Sequence, residues 1–314
     1  MENKFNLILI FLSIIVIVDL CASNYFYNIA IARSKKRFLQ KNKDLHTMSP
    51  KTNPEDTLLW LEKQNLRTVE IQSEDFLRLR GYYLEADKLS KVTVILAHGY
   101  NSQGKDMAAF AKFYHKSLGY NVLMPDDRGH GQSEGNYIGF GWMDRKDYVK
   151  WIDYTINTLN KDSKIILHGV SMGGAAVLMT SGEKLPSNIK AIISDCAYTS
   201  VKAELSYQLQ RVYKLPSFPI LQTTSFLTKI RAGYFFCEAS AVKQVGKTKI
   251  PILFIHGAED NFVPTNMVYT LYKSCRSEKD IFIVPNASHA NAYNIDKIGY
   301  EMKVTQFVSK YARN

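Results

Sequence analysis

Short apolar runs alternate with segments of helical length from about residue 90 onwards. The runs lack polar alternation, which is typical of strands buried on both faces of a parallel sheet. The intervening segments predict helices that cover the sheet. The predicted strands are Val92–Ala97, Asn121–Pro125, Lys164–His168, Ala191–Ser194, Pro251–Ile255 and Asp280–Val284, and the predicted helices are Met107–Leu118, Arg145–Asn160, Met172–Ser181, Thr265–Lys273 and Ile295–Tyr311.

Two segments depart from this alternation. Before it, a helix is predicted over Asp56–Gln64, followed by strands near Arg67–Gln72 and Leu77–Leu84 that resemble a hairpin. Residues 199–247 are too long for one plain crossover, and their apolar spacing predicts short amphipathic helices. We therefore expect one α/β domain over residues 57–314, with a small helical cap at about 199–247.

The first 32 residues form a separate apolar segment. Leu7–Val18 is apolar apart from one serine, Asp19 interrupts it, and apolar character resumes weakly as far as Ala32. The stretch from Phe5 to about Tyr25 reaches the roughly 20 residues that a membrane-spanning helix needs. We predict an uncleaved membrane anchor over residues 1–32. A cleaved signal peptide stays open as an alternative, although no small-x-small cleavage site closely follows the run. A buried core helix is the third possibility.

Positive charge is concentrated beside this apolar segment. The formal charge is +11, and residues 1–43 hold seven Lys and Arg against Glu2 and Asp19. Six of those basic residues lie within 33–43, where we expect contact with lipid phosphates. Residues 33–56 are predicted to form a basic, polar tether. The excess of basic residues on this side indicates a cytoplasmic domain by the positive-inside rule, and no nucleic-acid motif is present.

Composition excludes several other classes. Apolar residues make up 46% of the chain and charged residues 22%, which is ordinary for a folded domain and argues against disorder. The four cysteines, Cys21, Cys196, Cys237 and Cys275, contain no Cys-x-x-Cys pair. No metal site, redox motif or disulfide framework is therefore predicted.

One serine stands in a motif that carries chemistry. Ile165–His168 has the pattern of a buried strand, Gly169-Val170-Ser171-Met172-Gly173 follows at once, and an alanine-rich helix comes next. Gly-x-Ser-x-Gly between a strand and a helix is the nucleophile elbow, whose sharp turn needs small neighbours. The sequence therefore predicts Ser171 as a nucleophile.

A serine nucleophile needs a base, and the base needs an orienting carboxylate. His289 lies in the loop after the last apolar run and is the last histidine of the chain, whereas His46, His115 and His168 fall in the tether, a helix and a strand end. Asp260 follows the strand Pro251–Ile255, with Glu259 and Asp195 as competitors. The chain order Ser171, Asp260, His289 is the order this kind of site requires.

The anion that forms on the substrate needs two backbone donors. Met172, the residue after the nucleophile, is predicted to supply one. The loop after Val92–Ala97 should supply the other, and Tyr100 is the best candidate there. His98 in the same loop is predicted to be structural. The polar loop Asp126–Ser133 shows no nucleophile or metal spacing, so we expect it to brace the site.

These motifs resemble the α/β-hydrolase superfamily, and within it the serine aminopeptidase S33 or Hydrolase 4 branch, including membrane-anchored hydrolases of Gram-positive bacteria. The resemblance covers about residues 58–311. It rests on His98–Tyr100, Pro125–Gly131, His168–Gly174, Ser194–Ser200 and Ile255–Asp260.

The resemblance implies an eight-stranded, mostly parallel sheet, a small cap, the catalytic residues named above and no cofactor. It does not imply a substrate, because esterases, thioesterases, lipases and peptidases share the fold. The apolar cap and the anchor favour a small-molecule or lipid-like acyl ester. A peptidase or thioesterase acting through the same residues, or a non-catalytic tethered binding module, are the alternatives.

Overall fold

Eight strands form one sheet in the computed structural model, which describes residues 2–34 and 54–312. The spatial order is β1-β2-β4-β3-β5-β6-β7-β8. The β1–β2 and β2–β4 pairs are antiparallel, and all the other pairs are parallel. The strands are β1 (Arg67–Gln72), β2 (Arg78–Leu84), β3 (Val92–Ala97), β4 (Asn121–Pro125), β5 (Lys164–Val170), β6 (Ile189–Asp195), β7 (Ile252–Gly257) and β8 (Lys279–Val284).

Helices cover both faces of this sheet. Trp151 and Val177 pack in the core on one face, and Tyr114 and Tyr300 pack in the core on the other. The α-helices are α1 (Glu2–Phe26), α2 (Pro54–Glu62), α3 (Ala108–Lys112), α4 (Asp144–Tyr154), α5 (Met172–Thr180), α6 (Val201–Tyr213), α7 (Ile220–Ala232), α8 (Ala241–Val245), α9 (Asn266–Ser274), α10 (Ala292–Ile295) and α11 (Lys297–Tyr311).

This architecture confirms the predicted fold class. The strands β3 and β4 match their predicted bounds, while β5 and β7 continue two residues beyond theirs, to Val170 and Gly257. The extra residues carry each strand up to the turn that follows it. The predicted helix Met107–Leu118 is divided into a 3-10 turn (Gly104–Met107), α3 and a π turn (Phe113–Ser117).

Three helices, α6, α7 and α8, occupy the long interval between β6 and β7. Ser200 caps α6 by accepting a hydrogen bond from the Ala203 amide, and Ser240 caps α8 through the Lys243 amide. The α6 helix is tied to the core loops, because Tyr207 and Gln208 donate to the carbonyls of Asn261 and Phe262. We call these three helices the cap.

The N-terminal helix is long and apolar enough to cross a membrane, over Asn3–Ile31, and a signal sequence would have the same length and composition. Its apolar side chains from Phe5 to Val18 are exposed, which excludes the buried core helix as a description of that part. After α1 the chain continues as a π turn (Tyr27–Ile31) and pairs with the domain through a bridge between Ala32 and Tyr137.

Arg33, the first residue of the basic segment, is bonded to the domain. Its guanidinium donates to the carbonyls of Ser133 at 2.7 Å and Gly131 at 2.9 Å. Three backbone carbonyls of one loop converge there, the third belonging to Gly135, and satisfy the cation. The other basic residues of the predicted tether fall within residues 35–53, outside the described part of the chain.

A buried ion pair holds the polar loop after β4. The guanidinium of Arg128 forms a bidentate pair with Asp147 of α4, at 2.6 and 2.7 Å, and a second contact with Asp75 at 2.8 Å. Arg128 and Asp147 are both buried. Arg128 therefore ties this loop to α4 and to the turn between β1 and β2.

Replacing Arg128 with Met should lower the free energy of unfolding by about 3–5 kcal/mol, because the buried Asp147 carboxylate loses its partner. The matched control is Arg80→Met, which removes a more exposed pair with Glu70 and should barely change the melting temperature. Thermal unfolding of the detergent-solubilised chain measures both. Equal losses in the two variants would contradict the bracing role.

Candidate active site

Ser171 occupies a sharp turn between β5 and α5. Its backbone has φ 57° and ψ −115°, a conformation that costs energy for any residue except glycine. The Ser171 amide donates to the carbonyl of Asp195 at 2.8 Å, which fixes the turn against the end of β6. The side chain is thereby placed at the carboxyl edge of the sheet.

Two glycines make this turn possible. A Cβ added to Gly169 would collide with the backbone of Gly173, and a Cβ added to Gly173 would collide with the carbonyl of Ala97 in β3. Strand β5, helix α5 and strand β3 therefore approach too closely at this point for any larger residue. This close packing explains why glycine is required at both positions of the Gly-x-Ser-x-Gly motif.

The structure brings Ser171, His289 and Asp260 together. The Ser171 Oγ lies 2.8 Å from Nε2 of His289, and Nδ1 of His289 lies 2.8 Å from Oδ2 of Asp260. All three side chains are buried. They are adjacent although 89 residues separate Ser171 from Asp260 in sequence, because β5 and β7 are both parallel strands that end at one edge.

Asp260 is held as a carboxylate. Burial would raise its pKa, but attraction to His289 and hydrogen bonds from His256 and His289 hold that pKa well below its usual range. Its other oxygen, Oδ1, accepts from the amides of Phe262 and Val263 at 2.9 Å. An ionised, fully hydrogen-bonded carboxylate can orient the His289 ring with its proton on Nδ1.

The competing carboxylates are occupied elsewhere. The Oδ2 of Asp195 accepts from the Tyr300 hydroxyl at 3.0 Å, and burial raises the pKa of Asp195 to about 6. Glu259 is exposed. The contact to His289 is therefore made by Asp260. The two other candidates from the sequence, Asp195 and Glu259, do not take part in it.

The competing histidines also have structural partners. The ring of His98 lies 2.8 Å from the Gly99 carbonyl through Nδ1 and accepts from the Asp127 amide through Nε2. His168 lies between the hydroxyls of Tyr114 and Tyr300, and burial lowers its pKa to about 3. His115 is buried beside Asp87, and His46 falls outside the described residues.

The loop after β3 approaches Ser171 closely. A Cβ built on Gly99 would lie 3.6 Å from the Cβ of Ser171. Tyr100 is the next residue, so its amide belongs to the part of the loop that contacts the Ser171 turn. Met172 begins α5, and the first amides of a helix have no intrahelical acceptor. These are the two positions that the sequence predicts for the oxyanion donors.

Ser171 opens into a cavity of about 700 Å³ with mostly apolar walls. This volume is in the range of pockets that hold small molecules. Among the described residues that line it, Glu204 of α6 is acidic, and Arg211 and Lys214 are basic. Burial raises the pKa of the Glu204 carboxyl to about 8. Its Oε1 accepts from Gln208, and its Oε2 has no partner among the described residues.

Three possible metal ligands occur together in the described part of the chain. Atoms of Cys196, Asp260 and His289 lie within 4.8 Å of one another. Asp260 and His289 are already hydrogen-bonded to each other, and burial raises the pKa of the Cys196 thiol well above its usual value. Because metals bind the thiolate, this arrangement fits a hydrogen-bonded site better than a metal centre.

Two features of the site were not predicted from the sequence. Glu204 lies in a segment that the sequence predicts to be amphipathic. Only its apolar residues were expected to be buried, so nothing in the sequence marked Glu204 as a pocket residue. Phe26, Ile29 and Ala30 from the N-terminal segment also line the cavity. The one available signal was Asp19, a carboxylate in an apolar helix that needs a polar partner.

Comparisons with known proteins agree with this fold. The family model described as serine aminopeptidase, S33, matches residues 89–230. The protein YqkD of Bacillus subtilis strain 168 is 29% identical over 272 residues, covering 86% of this chain and 88% of YqkD.

Solved structures give the same result for the fold. The Pyrococcus furiosus esterase Pf2001 superposes with a TM-score of 0.66 at 23% identity, covering 83% of this chain and 96% of that one. The Pyrococcus horikoshii acylaminoacyl peptidase superposes with a TM-score of 0.59 at 18% identity, covering 82% of this chain and 43% of that one. The chain therefore has the α/β-hydrolase fold, and its residues 89–230 are similar to the family that the serine aminopeptidase S33 model describes.

Proposed function

We propose that this hydrolase cleaves carboxylic esters through an acyl intermediate on Ser171. The observation that carries the proposal is the continuous hydrogen-bond chain from Ser171 through His289 to Asp260 at the floor of an apolar cavity. Each link measures 2.8 Å, within the range that proton transfer requires.

In the first step, Ser171 Oγ attacks the ester carbonyl while His289 Nε2 takes the hydroxyl proton. The amides of Tyr100 and Met172 stabilise the oxyanion. When the carbonyl re-forms, the bond to the alcohol breaks, and His289 returns the proton to the departing oxygen. The products are an acyl-Ser171 ester and a free alcohol.

In the second step, water attacks the acyl-Ser171 carbonyl, and His289 again takes and returns one proton. The products are a carboxylic acid and free Ser171. Throughout both steps Asp260 stabilises the charged His289 ring without taking its proton. The low pKa of Asp260 supports this role, because a carboxylate that stays ionised keeps its attraction for the ring.

An ester suits the mostly apolar walls of the cavity. A pKa of about 8 leaves Glu204 largely neutral at pH 7, so the charged groups of the lining are Arg211 and Lys214 at the end of α6. The structurally similar Pf2001 is described as an esterase, which supports the same substrate class.

A peptidase is the second candidate, and Glu204 is the observation that favours it. A buried carboxylate in the pocket could hold the free amine of a peptide if it ionised on binding. The two candidates differ in their preferred substrates. Faster turnover of leucine p-nitroanilide than of p-nitrophenyl esters would favour the peptidase.

We also propose that the N-terminal helix is retained as a membrane anchor. Its last residues pack on α7 and line the cavity, so cleavage after the helix would remove part of the pocket wall. The polar residues Asp19, Ser23 and Asn24 contact the cap, which supports a permanent position there.

A fluorophosphonate probe should label the full-length chain in detergent, and Ser171→Ala should abolish that labelling because the reactive oxygen is gone. Ser181→Ala is the matched control, since Ser181 is a buried serine at the far end of α5. In-gel fluorescence measures both. Labelling that persists in Ser171→Ala would contradict the assignment of the nucleophile.

Glu204→Gln should become progressively more stable than the wild type as the pH rises from 5 to 9. The folded-state pKa of about 8 lies above the unfolded value, so the wild type binds more protons when folded and loses stability across this window. We expect the melting-temperature difference to grow by at least about 2 °C.

The control for this prediction is Glu259→Gln, which changes an exposed glutamate near the same site. Its melting-temperature difference from the wild type should stay nearly constant with pH. A constant difference for Glu204→Gln as well would show that Glu204 titrates normally, and the neutral state proposed for Glu204 at pH 7 would then be wrong.

A further inference from the structure

The cavity at Ser171 is built partly from the N-terminal helix. Phe26, Ile29 and Ala30 line the same cavity as Ser171 and Met172. These three residues lie at the end of the apolar segment Asn3–Ile31, which is long enough to span a membrane. The reaction site and the membrane-directed segment are therefore in direct contact.

Polar contacts fix the position of this helix against the cap. Asp19 accepts a hydrogen bond from Thr223 at 2.6 Å, and Ser23 donates to the Ile220 carbonyl at 3.2 Å. Arg231 donates to Asn24 at 2.9 Å. A helix made only to anchor a domain has no need of such partners, so these contacts indicate a defined docking position on α7.

The same helix end is bonded to the loop that holds the proposed oxyanion donor. The hydroxyl of Tyr100 donates to the Ala30 carbonyl at 2.8 Å, and the Tyr100 ring lies against Phe140 with a centroid distance of 5.3 Å. Burial raises the pKa of the Tyr100 hydroxyl well above its usual value, so it stays a donor. The end of the helix and the loop around Ser171 therefore form one packed unit.

The length of the helix sets its depth in a bilayer. The exposed run Phe5–Val18 has about 14 residues, which is roughly 21 Å at 1.5 Å per residue. The hydrocarbon core is about 30 Å thick. Covering the remaining ~9 Å takes about six more residues, as far as Asn24, and α7 packs on that part of the helix.

The cap has an apolar surface at this level. Phe226 and Ile230 lie one turn apart on α7 and are 58% and 67% exposed, and Phe218 just before α7 is 72% exposed. Large apolar side chains grouped in this way mark a surface that contacts lipid or another protein. Two of them lie on α7, the helix that is hydrogen-bonded to the N-terminal helix, and this position favours contact with lipid over contact with another protein.

We infer that the cavity takes its acyl substrate directly from the bilayer, so that the substrate class is a membrane lipid ester rather than a soluble ester. The last turns of the N-terminal helix and α7 form the wall between the cavity and the lipid. The acyl chain lies along this apolar wall, and its ester carbonyl reaches Ser171. This inference rests on the proposed esterase function.

The first test changes the wall. Ala30→Trp fills the side of the cavity that the helix forms, and Leu20→Trp adds the same bulk to the same helix at an exposed position outside the cavity. The probes are 4-methylumbelliferyl palmitate in lipid nanodiscs that hold the full-length chain, and 4-methylumbelliferyl acetate in the surrounding buffer. Ala30→Trp should lower the palmitate-to-acetate ratio of kcat/KM at least about tenfold, with the Leu20→Trp ratio unchanged.

The second test changes the cap surface, where folding is not at risk. The double variant Phe226→Asp with Ile230→Asp should lower the same ratio at least about fivefold, because charged side chains resist entry into the lipid interface. The matched control is Ile298→Asp with Met302→Asp, an apolar pair one turn apart on α11 that is at least as exposed. That control should leave the ratio unchanged.

The outcomes separate this inference from the proposed function. Labelling of Ser171 and turnover of both esters, with equal ratios in all four variants, would overturn bilayer access and leave the esterase intact. Absence of both labelling and turnover would overturn the two together. Recovery from native membranes of a mature chain that begins after residue 32, detected by intact mass spectrometry, would also overturn the inference.

Discussion

The strained turn at Ser171 is the constraint on which the rest of the structure depends. A positive φ at a serine costs free energy, and the surrounding elements maintain it by packing too closely for any residue larger than glycine at positions 169 and 173. The same packing sets β3, β5 and α5 at fixed separations. The loop that carries Tyr100, the first turn of α5 and Ser171 itself therefore meet at one point.

Two buried carboxyl groups near Ser171, Asp260 and Glu204, lie in different electrostatic environments. On the sheet side, Asp260 has every oxygen hydrogen-bonded and stays ionised, because His256, His289 and two amides offset the cost of its burial. On the cap side, Glu204 has few partners, and its burial favours the neutral acid. An ionised Asp260 behind His289 and mostly apolar walls around Ser171 suit the proposed transfer of an uncharged acyl group.

Much of the fold could be predicted from the sequence, because β3–β8 have unbroken apolar runs and the elbow motif fixes where β5 ends. The residues that meet at Ser171 were also identifiable, since parallel strands deliver the ends of β5 and β7 to one edge. Contacts of the N-terminal helix were not predictable. Arg33 is hydrogen-bonded to the loop after β4, and Asp19 is hydrogen-bonded to α7. The local sequence pattern does not specify which surface of the domain such residues contact.

Acyl transfer to Ser171 is the central claim, and the acyl-enzyme itself is the species that tests it most directly. The full-length chain in nanodiscs would be mixed with a palmitoyl ester, quenched in acid within one turnover and digested for mass spectrometry. The account predicts a peptide containing Ser171 that carries one palmitoyl group, and its absence from Ser171→Ala. Turnover with no acylated peptide, or with the acyl group on another residue, would contradict it.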